Sequence, residues 1–329
     1  MSAARKVIDA AALLEACRRG DPLAIARAIT AIENQTAVGA ELALAVRNLR
    51  GSCRTLGVTG PPGAGKSSLI NALVAELLFE YPRIGVLTVD PSSPVSGGAV
   101  LGDRVRMAAH SANPNVFIRS LSARGHLGGV TRTTRHVIDL LAASEMDLVV
   151  VETVGTGQSE VEVAELTEVK IFVSAPGLGD EMQAIKAGVL EIADILVVNK
   201  SDLPDADRTI GDLKAMLHHR GHEERRVALK VSTVKQEGLA DLSKAIKARL
   251  IAPFPAPVTL AINGRQMLAN DVAEFVAALI REHGDPRIDD IIDGMSRGAL
   301  SGRAGTMAAI RVLAERDDQL VATERENES

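Results

Sequence analysis

Leu56-Gly-Val-Thr-Gly60-Pro-Pro-Gly-Ala-Gly-Lys66-Ser67 is the stretch on which the reading of this chain turns. Gly60, Gly65, Lys66 and Ser67 match the spacing G-x-x-x-x-G-K-[ST]. The residues up to Thr59 read as a strand, and Ser67–Glu80 follows with a helical pattern. Strand, glycine loop and helix together make a phosphate cradle rather than an ordinary glycine-rich turn. Glycines let the backbone turn tightly with its N–H groups inward. Lys66 brings a point charge to the β- and γ-phosphates, the Ser67 hydroxyl can ligate Mg²⁺, and the helix adds its positive dipole end. The predicted nucleotide cradle is Gly60, Pro61, Pro62, Gly63, Ala64, Gly65 and Lys66, with Ser67 and Ser68 on the first helical turn.

From Cys53 to about Leu250, short apolar runs alternate with helical segments. The expected strands are Leu56–Thr59, Ile84–Asp90, Val116–Arg119, Asp147–Glu152, Val169–Ser174, Ile195–Asn199 and Val227–Ser232. Many are continuously apolar, as strands covered on both faces are. The fold class expected is α/β, a P-loop domain with a mostly parallel wound sheet. Ligands of such sheets collect beyond the carboxyl ends of the strands. Residues 1–52 read as a helical N-terminal extension, with Asp21-Pro22 as a helix start and apolar stripes at Ile25, Ile29, Ile32 and at Leu42, Val46, Leu49. Pro253-Phe-Pro-Ala-Pro257 marks a boundary. The domains expected are therefore 1–52, 53–252 and a helical region 253–329, with apolar positions at Leu268, Val272, Phe275 and Leu279, then Ile288, Ile291, Ile292 and Met295, then Met307, Ile310 and Leu313.

Composition narrows the function classes. The chain has 329 residues and a net charge of −5, with no tryptophan, one tyrosine (Tyr81) and five phenylalanines. Base-stacking platforms and nucleic-acid partners are not expected. No apolar run approaches the roughly 20 residues of a bilayer span, so no membrane role is expected. Cys17 and Cys53 lack metal-ligand spacing and read as ordinary reduced thiols. Arg5 and Lys6 are interrupted by Asp9 and Glu15 with no long apolar core following, so a secretory signal is not expected and the protein reads as cytoplasmic.

Asn199-Lys200-Ser-Asp202 ends a predicted strand. A carboxylate there can accept hydrogen bonds from the N1–H and 2-amino group of guanine, donors that adenine lacks. Asp202 therefore favours GTP, and Ser232, at the end of the next strand, is a candidate to close the base pocket. Ser67, Asp90, Asp103 and Glu152 are the candidate Mg²⁺ ligands, since Mg²⁺ takes hard oxygens and retains waters. Glu152 stands where a Walker-B carboxylate stands. Glu152-Thr-Val-Gly155 resembles the Asp-x-x-Gly of GTPases, whose glycine N–H senses the γ-phosphate, but no glutamine follows the glycine and Gln158 comes three positions later. Slow intrinsic hydrolysis is expected.

These motifs, with Asp90-Pro-Ser-Ser-Pro94, Ser96-Gly-Gly-Ala-Val-Leu-Gly-Asp-Arg104 and Arg124-Gly-His-Leu-Gly-Gly129, resemble the MeaB/MMAA family over nearly the whole chain. Members of that family, also called ArgK or lysine-arginine-ornithine transport ATPases, are P-loop GTPase chaperones of adenosylcobalamin-dependent methylmalonyl-CoA mutase. The resemblance implies a homodimer with a C-terminal helical arm. It also implies GTP-coupled loading, protection and reactivation of the mutase, with no cobalamin held tightly by this chain. The loop after the fifth strand would relay the mutase's presence, here through Asp180, Gln183 and Lys186. Lys186 is the candidate for stabilising charge on the transferring phosphate, beside Lys66, Glu152 and Gly155 in the catalytic set. The glycines Gly97 and Gly98 permit the backbone change of a first switch.

Other readings stand beside this one. A nickel-insertion GTPase would carry histidine or cysteine clusters, and His218, His219 and His222 look like solvated surface. A transport ATPase conflicts with Asp202, and a GTP-binding scaffold without turnover is separated by a rate measurement. A GTPase serving another cobalamin mutase remains an alternative client assignment.

Overall fold

The computed structural model describes residues 9–47, 53–90, 110, 113–122, 129–153, 166–178, 192–218, 226–251, 272, 276, 280 and 285–313. The chain divides into two compact units, Met1–Ala256 and Pro257–Ser329.

Seven strands form the sheet of the first unit: β1 Arg54–Thr59, β2 Ile84–Asp90, β3 Val116–Ser122, β4 Leu148–Thr153, β5 Val169–Ser174, β6 Ile195–Val198 and β7 Val227–Lys230. All seven expected strands are present; β2 and β5 have the expected bounds, and the other five differ by one to three residues at an end. The helices are α1 Ala10–Arg18, α2 Pro22–Glu33, α3 Ala37–Ala45, α4 Lys66–Leu77, α5 Gly129–Ala143, α6 Ala206–His218 and α7 Leu239–Ile251. The strand order is β3-β2-β4-β1-β5-β6-β7, and every pairing is parallel. All carboxyl ends therefore lie along one edge.

Side-chain alternation explains how helices cover both faces. Leu56 and Val58 of β1, Ile84 and Val86 of β2, and Leu148 and Val150 of β4 pack with α4 and α7. Leu87, Val89, Val149 and Val151 face the other way, onto α5 and the first three helices. Phe172, Leu196 and Val198 continue that second face under α6. The chain moves from β1 to β2 in one direction across the sheet through α4. It moves from β3 to β4 and from β6 to β7 in the opposite direction, through α5 and α6 on the other face. That pattern is the one a single crossover hand dictates.

Asp21 caps α2 by accepting from the N–H groups of Leu23 and Ala24, and Pro22 opens the helix as expected. Ile25, Ile29 and Ile32 are buried together with Leu42 and Val46. Gly39 is required where α3 crosses α2, since a Cβ there would lie 2.1 Å from the Ala31 carbonyl oxygen. Arg119 on the edge strand β3 ties the end of α2 down, donating to Glu33 Oε2 at 2.7 Å and Thr30 Oγ1 at 3.0 Å.

Cys17 is fully buried in this layer. Burial pushes its thiol up to about 11, with the Asp21 carboxylate adding to the shift. The folded state therefore disfavours the thiolate, while the unfolded chain ionises near the ordinary value of 9.0. Stability is expected to be full below pH 9 and to fall by roughly 2 kcal/mol as pH rises from about 9 to about 11. Urea unfolding at pH 8 and pH 10.5 checks this, and Cys17→Ala should flatten the difference.

The described part of the second unit contains α8, Pro286–Ser296, capped by Asp285, and a further helix at 302–313. Of its expected apolar positions, Ile288 is buried, whereas Ile292, Met295, Met307 and Ile310 are exposed. Close packing here falls to small residues. A Cβ on Gly305 would meet Met295 Sδ at 2.2 Å, and one on Gly294 would meet Leu300 at 3.0 Å. Leu49, Leu268, Phe275 and Leu279 lie outside the described residues.

Candidate functional site

β1 stands between β4 and β5, where the winding direction reverses, so the loop leaving Thr59 opens into the crevice at the carboxyl edge. The loop's path explains its glycines. Gly60 has φ +144°, and a Cβ would lie 2.0 Å from the Val173 carbonyl oxygen of β5. Gly65 has φ +86°, and a Cβ would lie 2.5 Å from Asn199 Nδ2. α4 then starts at Lys66 with no side-chain cap. Orphan N–H groups on its first turn are thus available to an anion.

The ends of β4 and β6 converge on this loop, which also folds its own lysine inward. Lys66 is buried, and its Nζ donates to the carbonyl oxygens of Gly60 at 2.6 Å and Pro61 at 3.1 Å. The Ser67 hydroxyl donates to Glu152 Oε1 at 2.7 Å, joining α4 to the end of β4. Glu152 is 2% exposed and lies beside Val58 in the β1–β4 register. From the end of β6, Asn199 Nδ2 donates to the carbonyl oxygens of Ala64 at 3.0 Å and Gly65 at 3.3 Å. Lys200, held at φ +55°, donates through Nζ to the Gly63 carbonyl oxygen at 2.7 Å.

The expected base-reading residues are also brought together. The Ser232 hydroxyl donates to Asp202 Oδ1 at 2.6 Å and accepts from the Lys235 N–H at 3.1 Å. That hydroxyl bond is the main cause holding the Asp202 carboxyl below the usual carboxylate range. A backbone hydrogen bond comes next, with Lys235 and Lys200 adding smaller effects. The shift favours the ionised acceptor, the form that guanine's two donors require.

Asp90 closes β2, but its side chain lies outside the described residues. Asp103, Gly155, Gln158, Asp180, Gln183 and Lys186 also lie outside them, as do Gly97 and Gly98. The buried oxygens of Ser67 and Glu152, beside an uncapped helix end, are a hard donor pair of the kind Mg²⁺ takes. That chemistry fits the ion. Asn199 and Lys200, expected at the nucleotide through the Asn-Lys-x-Asp pattern, also bracket the phosphate loop, a contact that depends on how far β6 lies from β1.

Similarity to known proteins agrees with this geometry. A family model described as methylmalonyl-CoA mutase-associated GTPase MeaB matches residues 25–252. A protein of Pyrococcus abyssi named as a GTPase is 43% identical over 235 residues, covering 71% of this chain and 72% of that protein. The mitochondrial methylmalonic aciduria type A homolog of Mus musculus is 34% identical over 308 residues, covering 86% of this chain and 74% of the relative. The crystal structure of a LAO/AO transport system kinase superposes with a TM-score of 0.64 at 26% identity, over 95% of this chain and 100% of the other.

Proposed function

This chain belongs to the family of methylmalonyl-CoA mutase-associated GTPases, MeaB, and on that premise we propose that it is a GTP-driven chaperone of methylmalonyl-CoA mutase. It is a GTPase, and it binds guanine nucleotide. The observation that carries the proposal is the convergence of Lys66, Ser67, Glu152, Asn199 and Asp202 on one crevice.

In this reading the phosphates lie on the 60–67 loop, with its N–H groups and Lys66 Nζ holding the β- and γ-oxygens. Lys66 already sits in the loop bonded to its carbonyls, so its charge is aimed before the ligand arrives. Asn199 and Lys200 hold the loop's shape, while Asp202 takes the guanine edge. Ser67 and Glu152, with Asp90 and Asp103, would hold Mg²⁺. Bound there, the ion supplies positive charge to the phosphate oxygens as the terminal group leaves. The Gly155 N–H would sense the γ-phosphate and Lys186 would stabilise charge on the transferring phosphate, while no glutamine follows Gly155 to orient the water, which accords with slow turnover until the mutase docks. The protein would act as a cytoplasmic homodimer.

The test is GTP hydrolysis by the purified protein, alone and with the adenosylcobalamin-dependent mutase of the same source. A slow basal rate that rises with mutase supports the proposal. A basal rate indifferent to it removes this client, leaving other cobalamin mutases or metal-insertion targets. Asp202→Asn tests the base reading separately. The amide donates where the carboxylate accepted, so GTP affinity should fall by on the order of 100-fold while xanthosine triphosphate gains. Unchanged preference in competition binding would sink that assignment.

A further inference from the structure

Under α4 the sheet is apolar until its carboxyl edge. Ile84 and Val86 of β2 and Leu148 and Val150 of β4 lie in one core with Leu69, Ile70 and Leu73 of that helix. Side chains alternate along a strand, so the next residue on this face is Thr88 on β2 and Glu152 on β4. Both are buried, at 0% and 2% exposed, and the β2–β4 register sets them side by side. We propose that Thr88 is a positioning residue for Glu152, with a hydroxyl that turns to the carboxylate and fixes its plane when a divalent cation is held there. The proposal rests on the reading of Ser67 and Glu152 as protein ligands of that cation.

The directions of both side chains are set by what they touch. Glu152 accepts from the Ser67 hydroxyl of α4 at 2.7 Å through Oε1, so its carboxylate stands on the α4 face. Thr88 donates through Oγ1 to Ser120 Oγ at 2.8 Å, and Ser120 is its register partner on β3. Ser120, Thr88, Glu152 and Ser67 therefore form one polar row, running across β3, β2 and β4 and up into the phosphate-loop helix. Neighbouring strands lie about 4.8 Å apart, which brings side chains paired in register on one face into contact. Thr88 thus has two neighbours along the row, Ser120 on one side and Glu152 on the other.

A hydroxyl carries one proton and two acceptor lone pairs, whereas a carboxylate only accepts. The Thr88–Ser120 pair can run in either direction. With Ser120 donating to Thr88, the Thr88 proton is free for Glu152. The change is a rotation about one C–O bond in each residue, and no side chain leaves its place. A carboxylate that must present one orientation to a cation gains from a second donor, as outer partners of metal ligands commonly supply. Valine at 88 would keep the shape and the β-branch but remove that donor. Serine would keep it.

The experiment titrates Mg²⁺ against GDP binding by calorimetry on the full chain, for Thr88→Val, Thr88→Ser, Ser120→Ala and Glu152→Gln. Thr88→Val should raise the half-saturating Mg²⁺ concentration by about 10-fold. GDP affinity in excess chelator should stay that of the parent, and the melting temperature should fall by no more than about 4 °C. Thr88→Ser should bind Mg²⁺ as the parent does. Ser120→Ala should also keep the parent's Mg²⁺ requirement, because it leaves the Thr88 proton available to Glu152. A bond that merely joined β2 to β3 would be lost equally in Thr88→Val and Ser120→Ala, so equal shifts in the two overturn the proposal. So does an unchanged Mg²⁺ requirement in Thr88→Val while Glu152→Gln raises it, and so does a Thr88→Ser that behaves like the valine. If Glu152→Gln itself leaves the requirement unchanged, the reading of the cation's ligands fails and the role of Thr88 fails with it.

Discussion

Lys66→Ala is expected to lower GTP turnover by roughly 100-fold or more, the scale of losing a preorganised charge from a phosphoryl-transfer site. The ammonium is buried and held by two loop carbonyls, at 2.6 and 3.1 Å, so its charge already lies inside the loop without ligand. Alanine removes that charge and leaves no unpaired ion behind, so the fold should survive. Lys66→Arg should not restore the rate, because a planar guanidinium cannot take the place of a compact ammonium between two carbonyls. Phosphate release is measured under saturating GTP, with circular dichroism to verify folding. Turnover within a few-fold of the parent would remove Lys66 from the site.

Gly60→Ala is expected to cost both the loop and stability. Two causes add: φ +144° is foreign to residues with a Cβ, and the new methyl would lie 2.0 Å from the Val173 carbonyl oxygen. That neighbour is backbone of β5, the strand paired with β1, so it cannot swing aside as a side chain end could. A loss of about 3 kcal/mol is reasonable for strain combined with a clash, which lowers the melting temperature by roughly 5–10 °C. Nucleotide binding should be lost as well, because the phosphate loop begins at this residue. Gly63→Ala is the control: it shares a positive φ, +76°, but has nothing within 4 Å of its Cβ. It should lose only about 1 kcal/mol. Equal melting of the two variants would show that the close approach to β5 is wrong.

The expected strands and the phosphate loop were legible because each is a local pattern. A run such as Leu148–Val151 is apolar at every position, and that is the pattern a strand covered on both faces must have. Gly60, Gly65, Lys66 and Ser67 are close neighbours whose tasks follow from residue type and spacing. Asp202, the proposed acceptor for guanine's donors, was singled out for a similar reason, its place at the end of a buried strand. Less could be read in the helices of the second unit. Helical spacing at Met307 and Ile310 says nothing of which face is covered, and small residues turned out to occupy the close contacts.

By itself, then, the amino-acid sequence determined the class of fold, the phosphate-binding loop, the guanine preference and the family resemblance, all of them carried by residues near one another in the chain. Only the tertiary structure decided the strand order, and with it which distant residues meet. Ser67 and Glu152 are 85 positions apart, and Asn199 and Ala64 are 135 apart, yet each pair shares a hydrogen bond. It also decided that the first three helices share an apolar core with α5 and one face of the sheet. The bond from Ser232 that holds the Asp202 carboxyl below the usual carboxylate range belongs to the same level. The physical reason is that spacing along a chain encodes periodicity and local turns. Contact across a sheet depends on register, crossover hand and the packing of both faces, which many residues settle together.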